Sequence, residues 1–151
     1  PIIPIMLFYI LALYKAEQGL GLKDLSWNYV LVLIVMYWAM FFAWEISRKI
    51  RTAEEEDAYV TYSKIFGPAG AVGLAVGAQT VTMAAGLFIF STIPMSVLFL
   101  LIMLAGYFIT MSGYLRFITK PNRTTSNLGL IAERYIVIVI AAFIVGHALT
   151  M

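Results

Sequence analysis

No cysteine occurs in this chain, and only one histidine, His147. The first absence excludes disulfides and thiolate metal sites. The second excludes a histidine-rich metal cluster. Charge is also scarce: 12% of the residues are charged and 62% are apolar, where soluble globular domains carry roughly 25% and about 45–50%. So little charge leaves no room for a separate soluble domain in 151 residues and points to the bilayer. The net charge is only +2. No basic stripe marks a nucleic-acid footprint, and no nucleic-acid partner is expected.

What the chain has is apolar length. A helix needs about 20 mostly apolar residues to cross a hydrocarbon core roughly 30 Å thick. Five segments stand out, at about 1–14, 27–45, 69–90, 95–115 and 133–150. They predict an all-α polytopic transmembrane helix bundle, a single membrane domain over 1–151. The first segment is short and has neither a basic n-region nor a small-residue cleavage site, so it does not read as a signal peptide. With Pro1 at its start, the chain reads as the C-terminal part of a longer membrane protein. Trp27 and Trp44 bracket the second segment as an interfacial aromatic belt would, and Pro94 presets a helix start for the fourth. Gly73 and Gly77, four apart in the third segment, predict a close helix seam, with a substrate groove beside the glycines as the alternative. Gln79, Thr80 and Thr82 in the same segment predict interhelical hydrogen bonds.

The charge that is present is unevenly placed. Lys15 and Lys23 fall on one side of the predicted topology. Arg48, Lys49, Arg51, Lys64, Arg116, Lys120, Arg123 and Arg134 fall on the other. The positive-inside rule predicts that the loops at about 46–68 and 116–132 are cytoplasmic. The stretch Phe41–Gly67, "FFAWEISRKIRTAEEEDAYVTYSKIFG", holds five of the eight acidic residues and four of the ten basic ones. Glu45, Arg48 and Lys49 share a face if the helix continues through them. Thr52 and Glu55 have capping-box spacing. Such a loop suits a phosphorylated ligand with a divalent metal. Mg²⁺ is usually held by one or two carboxylates plus substrate phosphates, and Arg and Lys pair with phosphate oxygens. The alternative is a solvated loop whose charges pair with one another.

The order of these parts resembles the UbiA-type intramembrane prenyltransferase superfamily. A long helix ends in an acid, then come a basic cluster, further acids, "TYSKIFG" (Thr61–Gly67) and a Gly-rich helix. The resemblance implies nine membrane helices, of which this chain would hold helices five to nine and the second acidic loop. It implies Mg²⁺ as cofactor, with Glu45, Glu54, Glu55 and Asp57 as metal ligands. It implies Arg48, Lys49, Arg51, Tyr59 and Tyr62 around the diphosphate. Lys49 stands where the family has a second acid, and no N-D-x-x-D motif occurs in the chain, so that half of the site is expected upstream. The implied activity transfers a prenyl group from an isoprenoid diphosphate to a small-molecule acceptor, often an aromatic ring; Tyr37, Trp38, Phe41 and Phe42 are expected to pack or face lipid, with a role as aromatic faces for the carbocation as the alternative. Membrane lipid is the other expected partner. A membrane transporter fragment and a non-catalytic integral membrane subunit are the competing readings; a transporter calls for an ionisable residue deep within a span, and none of the five segments has one.

Overall fold

The computed structural model describes residues 5, 8, 9, 11, 12, 19, 26–52, 54, 55 and 61–149, the side chain of His147 excepted. Most of the expected first span, Lys15, Lys23, Asp57 and Tyr59 lie outside the described residues. Four helices follow: α1 (Trp27–Ser47), α2 (Tyr62–Thr92), α3 (Val97–Thr119) and α4 (Leu128–Ala148). All four are long and apolar enough to cross a membrane. At 1.5 Å per residue, even the shorter ones reach about 30 Å. They are apolar on every face, which marks helices with no water-facing side. Leu31, Phe108, Val137 and Ile144 point outward with 55%, 65%, 63% and 65% of their surface exposed. An apolar outer surface of this extent belongs in lipid. The protein is an integral membrane helix bundle.

Each helix packs on its chain neighbours, and α4 closes the ring against α1. This is up-and-down connectivity. The links 48–61 and 120–127 therefore meet at one end, and the 93–96 link lies at the other, where the Ser96 N–H donates to the Gly146 carbonyl at 3.4 Å. One core cluster is built on Met36, Met40, Phe99, Met103, Tyr135 and Val139. A second, nearer the 48–61 link, is built on Ile46, Ile50, Val72, Tyr114, Phe117 and Leu128. A buried polar chain runs beside it. The Gln79 amide donates to the Tyr114 hydroxyl at 3.2 Å, which lies 2.6 Å from Ser47 Oγ. Ser47 in turn donates to the Ala43 carbonyl at 2.6 Å. Because that bond uses the only serine proton, Tyr114 donates to Ser47. Thr82 reaches across to the Met36 carbonyl at 3.4 Å, and Thr80 meets the Tyr107 hydroxyl at 2.9 Å.

Three local expectations change. The helix expected to start at Pro94 starts at Val97, with Ser96 as N-cap accepting from the Leu98 N–H at 3.2 Å; Pro94 lies in the link. The helix expected from 133 begins at Leu128. Glu133 and Arg134 lower hydropathy without breaking the helix, since both are good helix formers. The expected seam at Gly73 and Gly77 is absent: a Cβ at either position meets nothing within 4 Å. The packed face of α2 instead carries Ala71, Val72, Ala75, Gln79, Thr82 and Met83. Close approaches lie elsewhere: a Cβ on Gly86 of α2 would come within 2.6 Å of Met103 on α3, and between α3 and α4 one on Gly106 would come within 2.6 Å of Ile138 and one on Gly113 within 2.6 Å of Ile131. The Gly–x₃–Gly pattern permits a close approach without choosing the face that makes it.

At the start of α2, Thr61 caps a short turn by accepting from the Lys64 N–H at 3.2 Å. Gly67 then breaks the helix with φ 71° and ψ 160°. Pro68 disfavours a helical ψ at the residue before it, and the combination with positive φ is open essentially to glycine alone. The long membrane helix begins after this break, close to the expected position.

Candidate functional site at the charged end of the bundle

Every described Lys and Arg lies at one end, in the 48–61 and 120–127 links or in the helical turns next to them. No charged side chain occupies the middle of a described helix. Glu45, in the last turn of α1, organises the start of the cluster. One carboxylate oxygen meets Arg48 Nε at 2.5 Å and the other meets Lys49 Nζ at 2.6 Å. The expected shared face is therefore made, through i,i+3 and i,i+4 pairs. Glu45 also splits the two cations. Arg48 lies 5.0 Å above the Trp44 ring, and Lys49 lies 5.8 Å from the centre of the Tyr62 ring.

Beyond Arg48 the chain is fastened twice. The Arg51 backbone N–H donates to Ser63 Oγ at 3.0 Å, tying the link to α2. The Thr52 N–H and hydroxyl both donate to one oxygen of Glu55, at 3.2 and 3.0 Å. This is the reach-back half of the capping box. The other Glu55 oxygen accepts from the Ser126 hydroxyl at 3.0 Å, a contact 71 residues away in sequence. Partial desolvation raises the Glu55 pKa, but the bonds from Thr52 and Ser126 and the nearby Arg51 charge outweigh it and hold the carboxyl below its ordinary value. Gly129 completes the joint: a Cβ there would lie 3.0 Å from both Cα and Cβ of Arg48.

These contacts leave a cavity of about 390 Å³, lined by Trp44, Arg48, Arg51, Ser126, Asn127, Gly129, Leu130 and Glu133. Arg48, already paired with Glu45, lines it with Arg51 and Glu133, and the first turn of α4 opens on it. A helix N-terminus favours negative charge, and arginine binds phosphate oxygens in pairs. The cavity thus suits an anion. Its apolar walls, Trp44 and Leu130, adjoin the membrane-spanning part of the bundle. Compared with protein-family models, curated proteins and solved structures, the chain matches none.

The residues singled out from sequence are only partly gathered here. Arg48 and Arg51 share the cavity. Lys49 and Tyr62 pair with each other. Glu54 is exposed in the turn, Glu45 and Glu55 are engaged as described, and Asp57 and Tyr59 lie outside the described residues. Among the described residues no three His, Cys, Asp or Glu side chains gather as metal ligands. Trp38 and Phe42 stack on each other at 5.0 Å, both exposed on the outer face of α1, while Tyr37 and Phe41 pack against the core. By sequence, Ser126 and Asn127 read only as the end of the basic loop 116–127, whose main expected role is membrane anchoring with diphosphate binding as the alternative, and Gly129 does not stand out. The one available signal was their position: small and polar residues just before and within the first turn of a helix on the same side as the charged loop.

Proposed function

We propose that this protein is a UbiA-like prenyltransferase, or the C-terminal part of one, and that the charged end of its bundle receives the diphosphate of an isoprenoid donor. The observation carrying the proposal is the cavity that sets Arg48 and Arg51 beside the first turn of α4, next to apolar helix surface. In this reading the allylic C–O bond breaks, its electron pair stays on the diphosphate, and an acceptor nucleophile attacks the carbocation and loses a proton. Arg48 and Arg51 stabilise the charge growing on the leaving group, which is where fixed cations are most effective. Glu45 holds Arg48 in place, and Trp44 supports the guanidinium from below. Mg²⁺ belongs to the proposal through the family resemblance alone. Eight described cations at one end support a cytoplasmic side for that end, by the positive-inside rule. The absence of charged groups from the middle of the described helices favours this reading over transport.

The test is equilibrium binding of farnesyl diphosphate to the purified protein, with and without Mg²⁺. Arg48→Gln and Arg51→Gln should each weaken binding about tenfold, the scale of one lost charge-assisted hydrogen bond. Farnesol should bind far more weakly than the diphosphate. Equal binding of farnesol and farnesyl diphosphate, or no response to either variant, defeats the assignment.

A further inference from the structure

A second basic cavity lies between α3 and α4, away from the Arg48 site and independent of the proposed activity. It has a volume of about 240 Å³, and its lining includes Arg116, Arg134, Ile109, Gly113, Ile131 and Ile138. No carboxylate lines it. Glu133, the chain neighbour of Arg134, lines the adjoining groove with Leu130 and Val137. Neither guanidinium is in an ion pair among the described residues, so two like charges face one small space without compensation.

The polarity of the cavity runs along the membrane normal. Arg116 sits in the last turn of α3 and Arg134 in the second turn of α4, both at the charged end. Ile138 lies one turn, about 6 Å, deeper than Arg134, and Ile109 two turns, about 10 Å, deeper than Arg116. Ile109 is 63% exposed, facing the lipid. The Gly113–Ile131 contact holds the helices close enough to floor the groove. The Gly113–Ile131 and Gly106–Ile138 contacts put Arg134 level with Ile109, so its long side chain extends toward Arg116 to share a headgroup phosphate, and the isoleucine wall beside and below it takes an acyl chain. Basic pockets between membrane helices bind anionic headgroups in this way.

We propose that the α3–α4 groove is a binding site for an anionic phospholipid, with Arg116 and Arg134 on the headgroup phosphate and Ile109 and Ile138 along an acyl chain. The occupant is a lipid rather than a free phosphate because half of the groove wall is apolar and opens to the hydrocarbon. Native mass spectrometry tests this on protein carried in micelles holding equal phosphatidylglycerol and phosphatidylcholine. The wild type should retain phosphatidylglycerol in preference to phosphatidylcholine. The pair Arg116→Gln and Arg134→Gln should lower that retention about tenfold. The pair Lys120→Gln and Arg123→Gln removes the same charge from the same end, outside the groove, and should change it less than about twofold. Arg116→Lys with Arg134→Lys keeps the charge and should preserve most of the binding. Equal losses in the two glutamine pairs reduce the effect to general surface charge and overturn the proposal. So does equal retention of both lipids by the wild type, which decides the matter even if a variant fails to fold. Displacement of the lipid by soluble glycerol 3-phosphate at similar concentration assigns the groove to free phosphate and likewise overturns it.

Discussion

Two rows of glycines run along two neighbouring helices and meet opposite fates. On α2, Gly73 and Gly77 face outward, with nothing within 4 Å of a Cβ at either position. On α3, Gly106 and Gly113, two turns apart, are pressed against Ile138 and Ile131 of α4. The local sequence would rank them the other way, because four-residue spacing is the familiar mark of a packed membrane seam. The difference lies in the facing helix. Branched isoleucines on α4 fill the space above the α3 glycines, and α1 and α3 pack on α2 through its Ala, Val and Thr face instead. A glycine's value for packing is set by the residue opposite.

Substitutions sharpen this contrast. The largest effect is expected at the packed row. Gly113→Leu or Gly106→Leu should each destabilise the bundle by about 2–3 kcal/mol through overpacking, read as a lower midpoint in SDS-induced unfolding. Gly73→Leu should leave that midpoint nearly unchanged, and similar losses in both rows would show that the packed faces have been misassigned. A glycine kept for its backbone rather than its neighbours comes next. Gly67 has no atom near its Cβ position but holds φ 71°, so Gly67→Ala should cost about 1–2 kcal/mol as strain. Adding Pro68→Ala should recover part of the loss, because the constraint on residue 67 then disappears.

Smaller is the polar joint at the charged end. Ser126→Ala removes the long-range bond to Glu55 and should cost under about 1 kcal/mol, since Glu55 remains partly solvated. The same joint makes stability depend on pH. The Glu55 pKa is depressed in the folded protein, so its contribution is complete above the unfolded value of about 4.3. It is lost as pH falls through the lower folded value. The unfolding midpoint of Glu55→Gln should therefore vary less with pH below about 5 than that of the wild type; equal slopes would remove Glu55 from the joint. The smallest effect belongs to the open row: Gly77→Ala should stabilise by about 0.5 kcal/mol through helix propensity, whereas Ala at a packed glycine should not.

The charged end shows how far a linear reading reaches. Glu45, Arg48 and Lys49 were predictable as a cluster because helical periodicity alone puts them on one face. The Thr52–Glu55 bond was predictable for the same local reason. Ser126 and Gly129 were not, since their partners Glu55 and Arg48 lie in another link and no spacing rule connects residues so far apart. The α3–α4 groove was also hidden. Arg116 and Arg134 read as two members of a general basic surface, and only the pairing of their helices sets them around one space.

Composition and hydropathy by themselves determined that this chain is a helical membrane bundle, because hydrocarbon leaves the backbone no other way to satisfy its hydrogen bonds over such long apolar runs. They also determined that the charges fall in the links and near the helix ends, since a charge is costly within the span. The tertiary structure alone decided which glycines are packed, which arginines share a cavity and where Glu55 finds its second partner. Those outcomes depend on the rotation of each helix about its axis. In helices apolar on every face, no local pattern specifies that rotation, and the fit of side chains between neighbours does.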